Sequence, residues 1–169
     1  TQETNIKPLY YGIIGMRQMT NSKHEITTPD DLKGLKMRAQ NNSVQVDGLS
    51  ALGCSITTMA FSELFTSLQQ KVIDGQENPI AVIYSNAVYE AQDYMANTNH
   101  VYSPSVILFS KAVFDKLDPG YQTALMEAAA EAADYERACC EDNEVAQISE
   151  MEEKGLQVTY PDVTEFQAA

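Results

Sequence analysis

Arg38 is the residue of this chain best suited to hold an anion. A guanidinium presents a rigid, planar fork of donors that meets the two oxygens of a carboxylate with parallel hydrogen bonds. Arg38 stands near the end of an alternating run, Leu35-Lys36-Met37-Arg38-Ala39. Leu35, Met37 and Ala39 face one way, and Lys36 and Arg38 the other. The guanidinium therefore falls at the carboxyl end of a predicted strand, where open α/β sheets bind ligands. The alternative is an ion pair with one of the chain's own acids, which number 24 against 11 lysines and arginines. Asn41, in the loop just beyond, is a further polar candidate. A second polar set, Gln76-Glu77-Asn78, precedes Pro79. All three side chains can hydrogen-bond a ligand, or they can form an ordinary interhelical turn capped by its own side chains.

The elements that must position these groups are legible around them. Phe61 to Pro79 reads FSELFTSLQQKVIDGQENP. Ser62 can cap a helix, Leu64, Leu68 and Val72 form its buried stripe with Phe65 beside it, and Asp74-Gly75 stops it. Pro79 keeps Asn78 out of the helical region and suits the start of a next helix, running to about Gln92. Upstream, Pro8 to Met19 reads as a strand that Gly12 and Gly15 interrupt. Asn21-Ser22-Lys23 is a turn, and Thr28-Pro29-Asp30-Asp31 starts a short helix that Gly34 ends. Ser43 caps a helix carrying Val44, Val46, Leu49 and Leu52, and Cys54 to Met59 is a short strand. Downstream, His100 to Ser110 is extended, with Val106-Ile107-Leu108-Phe109 buried on both faces. A short helix follows Ser110. Tyr121 to Lys154 holds no glycine or proline and is predicted to form one helix roughly 50 Å long, ended by Gly155 before a strand at Leu156 to Tyr160. Strands alternate with helices throughout, which predicts an α/β fold with crossover connections.

Composition narrows the function. The formal net charge is -13, which argues against nucleic acid or an anionic membrane surface as partner, since both need a basic face. A hydrophobic share of 44% and a charged share of 21% suit a soluble globule, and no apolar run is long enough to span a bilayer. Cys54, Cys139 and Cys140 read as buried or incidental thiols, because adjacent helical residues point to different faces. Catalysis finds little support. The two histidines, His24 and His100, stand in no nucleophile motif, and Asp74 with Glu77 in a turn suggests solvated carboxylates more than an acid–base pair. No phosphate loop, dinucleotide fingerprint or zinc spacing is present, so no cofactor and no metal are expected.

Four segments in register, Gly15 to Lys23 (GMRQMTNSK), Asp31 to Asn42 (DLKGLKMRAQNN), Phe61 to Pro79 and Tyr84 to Pro104, resemble the TRAP-transporter solute receptors, the DctP-type extracytoplasmic binding proteins. The resemblance implies a periplasmic-binding-protein-like, two-lobe α/β fold with a long lobe-spanning helix. It implies that residues 12–102 and 143–169 form the carboxyl-terminal-type, ligand-binding lobe. Residues 103–142 then belong to the other lobe and the start of the connecting helix, and residues 1–11 to a truncated crossing segment, so an amino-terminal lobe is expected upstream. It makes Arg38, in Lys36-Met37-Arg38, the clamp for a ligand carboxylate. Arg17 becomes a second cleft arginine, alternatively a structural ion pair. Asn78 becomes a ligand-bonding asparagine and Phe61 an aromatic packed on ligand and arginine, alternatively a core residue. Many relatives carry proline two residues after the arginine, where this chain has Gln40. The implied function is extracytoplasmic capture of a small organic acid, a C4-dicarboxylate or sugar acid, for delivery to the membrane permease subunits of a sodium- or proton-driven TRAP transporter. An enzyme acting on a carboxylated metabolite and a sensor domain on the same fold are the alternatives.

Overall fold

Three short parallel strands, each with a polar residue at or next to its carboxyl end, create the edge on which the candidate residues stand. The computed structural model describes residues 4–169. It contains β1 (Ile6–Asn21), a 3₁₀ turn (Pro29–Leu32), β2 (Lys36–Ala39), α1 (Ser43–Ala51), β3 (Ser55–Thr58), α2 (Phe61–Gln69) and β4 (Gly75–Pro79). There follow α3 (Ile80–Ser85), a second 3₁₀ turn (Val88–Ala91), β5 (Tyr94–Ser110), α4 (Lys111–Phe114), α5 (Pro119–Glu153), β6 (Gln157–Thr159) and α6 (Val163–Ala168). The strands make one mixed sheet in the order β3-β2-β4-β1-β5-β6. β2 pairs in parallel with β3 and β4, β1 lies antiparallel between β4 and β5, and β6 is parallel to β5. The predicted α/β class is the observed one. Residues 1–3, part of the expected crossing segment 1–11, lie outside the described residues.

Two apolar clusters explain the layering. Leu64, Leu68, Ile73, Ile80, Ile83, Met95, Ile148 and Met151 pack on one face of the sheet, and Met19, Ile26, Leu32, Leu35, Met37, Ala39, Leu49 and Phe166 on the other. Met37 and Ala39 share the second cluster, so alternation turns Arg38 towards the opposite face. α5, about 52 Å long at 1.5 Å per residue, reaches well past the clusters. Its middle grips β1 where the ladder is irregular. The Glu136 carboxylate accepts from the Ile13 amide at 3.1 Å and Arg137 Nη1 donates to the Tyr11 carbonyl, beside the register shift between Ile13 and Gly15.

Several local expectations change. GQENP is the buried central strand β4, not an exposed interhelical loop: Gln76, Glu77 and Asn78 are 0%, 1% and 3% exposed. Ladders on both sides, with β1 and β2, satisfy the backbone of a segment whose side chains have low strand propensity. α2 begins two residues earlier than expected. Its N-cap is Ala60, whose N–H is bonded by the Glu63 carboxylate at 3.2 Å, so Ser62 is not the cap. It also ends earlier, at Gln69. Lys71 takes the left-handed conformation (φ 58°) and its N–H closes on the Leu68 carbonyl, which leaves Val72 57% exposed. The cap of α1 is Asn42, whose side chain accepts from the Val44 amide, rather than Ser43. The helix predicted to reach Gln92 divides into α3 and a 3₁₀ turn, with Ala87 left-handed between them. Val106, Ile107 and Leu108 are 41%, 42% and 52% exposed rather than buried. That arm of β5 pairs only with the first half of β1, so among the described residues no layer covers both its faces.

Candidate functional site

The five residues singled out by sequence, Arg17, Arg38, Asn41, Phe61 and Asn78, line one cleft of about 720 Å³. β2 and β4 deliver Arg38 and Asn78 to the carboxyl edge of the parallel strands. β1 brings Arg17 to lie opposite Pro79, the β2–α1 loop supplies Asn41, and the first residue of α2 is Phe61.

Arg38 is 2% exposed. Its Nε and Nη2 donate to the Met59 carbonyl at 3.2 and 2.8 Å, which fixes the plane of the guanidinium. Nη1 is buried without a hydrogen-bond partner. The guanidinium carbon stands 6.0 Å from the centroid of the Phe61 ring, a cation–π contact, and Phe61 is 41% exposed. Burial lowers the Arg38 pKa from its ordinary value, Glu77 raises it and Arg17 lowers it. The group still stays protonated, because guanidinium titrates far above neutrality. Among the described residues Arg38 is thus a buried cation with no direct carboxylate partner and with Nη1 unpartnered.

Arg17, 4% exposed, is differently placed. Its Nε meets Glu77 Oε2, its Nη2 donates to Glu77 Oε1 and to the Glu77 carbonyl, both at 2.8 Å, and to Asn78 Oδ1 at 3.1 Å, and its Nη1 reaches Ser103 Oγ at 3.3 Å. Its charge is neutralised within the protein, which is the ion-pair alternative. Burial pushes the Glu77 carboxyl up, but hydrogen bonds from His100 and Arg17, and their charges, outweigh it and hold the group below its ordinary value. His100 faces Glu77 Oε2 through Nε2 at 3.4 Å and Thr98 through Nδ1 at 2.7 Å. Asn78 also donates through Nδ2 to Gln76 Oε1. The chain continues from Gln76 Nε2 to Thr20 Oγ1 at 3.0 Å and from Thr20 to Gln92 Oε1 at 2.8 Å. Polar side chains buried this deeply are stable only when so connected.

Asn41 and Gln40 are exposed at the mouth. Glu77, His100 and Thr98 were not assigned to the site from sequence. The polar cluster in QENP was a signal for Glu77, but His100 is brought in only by the pairing of β1 with β5. The acid–base alternative also changes, since neither carboxylate is solvated in a turn. Asp74 Oδ2 accepts from the Lys36 amide at 2.9 Å and Asp74 Oδ1 pairs with Lys23, while Glu77 is held by Arg17. Cys54 is buried and its thiol is pushed up to about 11 by burial, whereas Cys139 and Cys140 are half-buried.

A family model described as "Bacterial extracellular solute-binding protein, family 7" matches residues 1–169. The chain is 38% identical over 153 residues to the 2,3-diketo-L-gulonate-binding periplasmic protein YiaO of Escherichia coli, covering 90% of this chain and 47% of that one. A TRAP periplasmic solute-binding protein from Polaromonas, bound to D-erythronate, superposes with a TM-score of 0.92 at 39% identity, over 99% of this chain and 55% of the other. One from Chromohalobacter salexigens, with bound D-glucuronate, gives 0.94 at 33%, over 99% and 56%. The chain spans about half the length of the curated relatives it matches.

Proposed function

This chain belongs to the bacterial extracellular solute-binding proteins of family 7, and on that premise we propose that it supplies the ligand-holding lobe of a receptor for a small organic acid. The observation that carries the reading is Arg38, which lines the cleft: a buried guanidinium, oriented by the Met59 carbonyl and Phe61, with Nη1 buried and without a partner among the described residues. A buried cation without a counter-charge is costly. A ligand carboxylate offsets that cost and gains charge-assisted hydrogen bonds. Arg17 and Asn78 line the same wall and add polar contacts through the donor capacity their internal bonds leave. Phe61 packs under the ligand, and Asn41 closes the mouth. The two structural neighbours named above hold D-erythronate and D-glucuronate, each a carboxylate on a hydroxylated carbon chain, and the same class suits this cleft.

Capture takes place outside the cytoplasmic membrane, in keeping with the family. Residues 12–102 and 143–169 form the ligand-binding lobe. Both apolar clusters draw all their buried members from residues 19–96 and 148–166, which supports that division. Residues 103–142 and the exposed arms of β1 and β5 lead into a second lobe, and closure of the two lobes traps the acid. The acid then passes to the permease subunits of a TRAP transporter. The protein binds without turning its ligand over. Asp74 and Glu77, the pair with acid–base potential, are committed to backbone, lysine and arginine partners. No helix among the described residues is long and apolar enough to cross a membrane.

The test is a thermal-shift panel of aldonates, uronates and C4-dicarboxylates on the intact receptor. A ligand at 100 times its Kd adds about 2.7 kcal/mol, which raises the midpoint by several degrees. Arg38→Ala is expected to abolish the shift, and Arg38→Lys not to restore it, because a point charge lacks the fork. Retention of the shift in Arg38→Ala would remove the carboxylate clamp.

A further inference from the structure

Resting on the receptor reading, we propose that Gln40 is a specificity-determining residue that reads a hydroxyl group of the bound acid. Most polar groups of the cleft are already engaged. Arg17 is paired with Glu77, and Asn78 bridges Arg17 and Gln76. Gln40 is exposed, and its amide makes no hydrogen bond within the described residues. Only its main-chain carbonyl is used, accepting from the Asn42 amide at 2.7 Å. It lies two residues beyond Arg38, about 6.6 Å along extended chain. With the ligand carboxylate on Arg38, that spacing sets the amide against the carbons that follow the carboxylate.

Gln40 also occupies a particular wall. A second cavity of about 630 Å³ adjoins the first, and Gln40, Ile14 and Arg17 are the residues that line both. Of these, Ile14 is apolar and Arg17 is charge-paired with Glu77. Among the described residues, Gln40 is therefore the one neutral polar side chain that lines both cavities, and its amide is uncommitted. An amide donates and accepts at once, as a hydroxyl does, whereas a second carboxylate only accepts. Arg38 is the only cation lining the first cleft that lacks a carboxylate partner among the described residues. This half of the site is thus matched to one carboxylate followed by hydroxyls, and discriminates against a second carboxylate at that position.

The experiment is isothermal titration of the intact receptor and its Gln40→Ala variant with D-erythronate, galactonate, D-glucuronate and butyrate, the last read by competition. Gln40→Ala is expected to weaken the tightest hydroxylated acid about tenfold, the worth of one such hydrogen bond, and to leave hydroxyl-free butyrate within twofold. Unliganded melting should not change, as befits an exposed side chain. Gln40→Glu is expected to weaken every acid, because it brings a negative charge to the cleft. Affinity for the hydroxylated acid within twofold of wild type in Gln40→Ala, or an equal fall for butyrate, overturns the inference. If Arg38→Ala leaves binding intact, or wild type takes up none of these acids, the receptor reading for this cleft fails instead.

Discussion

Replacing Glu77 by glutamine leaves Arg17 with its charge buried and its main counter-ion gone. Arg17 and Glu77 are 5% and 1% exposed at the side chain, so water cannot take over the solvation of either. Breaking one side of such a pair costs about 3–5 kcal/mol, a large part of the roughly 5–15 kcal/mol that holds a domain folded. At about 2–4 °C per kcal/mol for a chain of this size, the midpoint should fall by about 6–20 °C. Exchanging both partners, Arg17→Met with Glu77→Met, removes the uncompensated charge as well as the attraction. The double variant should therefore lie closer to wild type than Glu77→Gln does. The pH dependence carries a defined sign. The folded carboxyl of Glu77 lies below its ordinary value of 4.5, so the folded state releases its proton more readily than the unfolded chain. Its stabilisation is fully present above pH 4.5 and is lost as pH falls through the lower folded value. Glu77→Gln should flatten that part of the acid limb. The assay is chemical denaturation of the three proteins between pH 3 and pH 7. If the double variant is no more stable than Glu77→Gln, and Glu77→Gln keeps the wild-type acid limb, the ion pair does not act as described.

Two further outcomes follow from the same geometry. At Gly75, the first residue of β4, an added Cβ would stand 2.1 Å from the Thr20 carbonyl and 2.8 Å from Met37 Sδ. Since the carbonyl belongs to the ladder, Gly75→Ala should cost about 3 kcal/mol by urea denaturation, and wild-type stability would refute the close packing of β4 on β1. At the 3₁₀ turn, Asp31 accepts from the amides of Thr27 and Thr28 at 2.9 and 2.8 Å, which hold its carboxyl down to about 2. Asp31→Ala should cost about 1 kcal/mol near neutrality. The difference from wild type should shrink as pH falls from about 4 towards 2, and a difference independent of pH would refute the cap.

The sequence by itself determined the α/β class, the long helix and the position of Arg38 near the end of its strand. Those features rest on local chemistry: Met37 and Ala39 alternate with Arg38, no glycine or proline interrupts residues 121–154, and Gly34 and Gly155 sit where the backbone turns left-handed. It also carried enough polar residues in Gln76-Glu77-Asn78 to mark that segment as important, but not to say what it becomes. Read locally, Gly-Gln-Glu-Asn-Pro has every property of a turn. Only tertiary structure makes it the central strand, because β1 and β2 satisfy its backbone from both sides and Arg17, Thr20 and Gln92 satisfy its side chains. The same long-range pairing decided which arginine is free. Arg17 and Glu77 are 60 residues apart and Glu77 and His100 are 23 apart, separations at which no periodicity or spacing rule operates. Strand pairing brings the three together, neutralises Arg17, and leaves the guanidinium of Arg38 without a carboxylate of its own among the described residues.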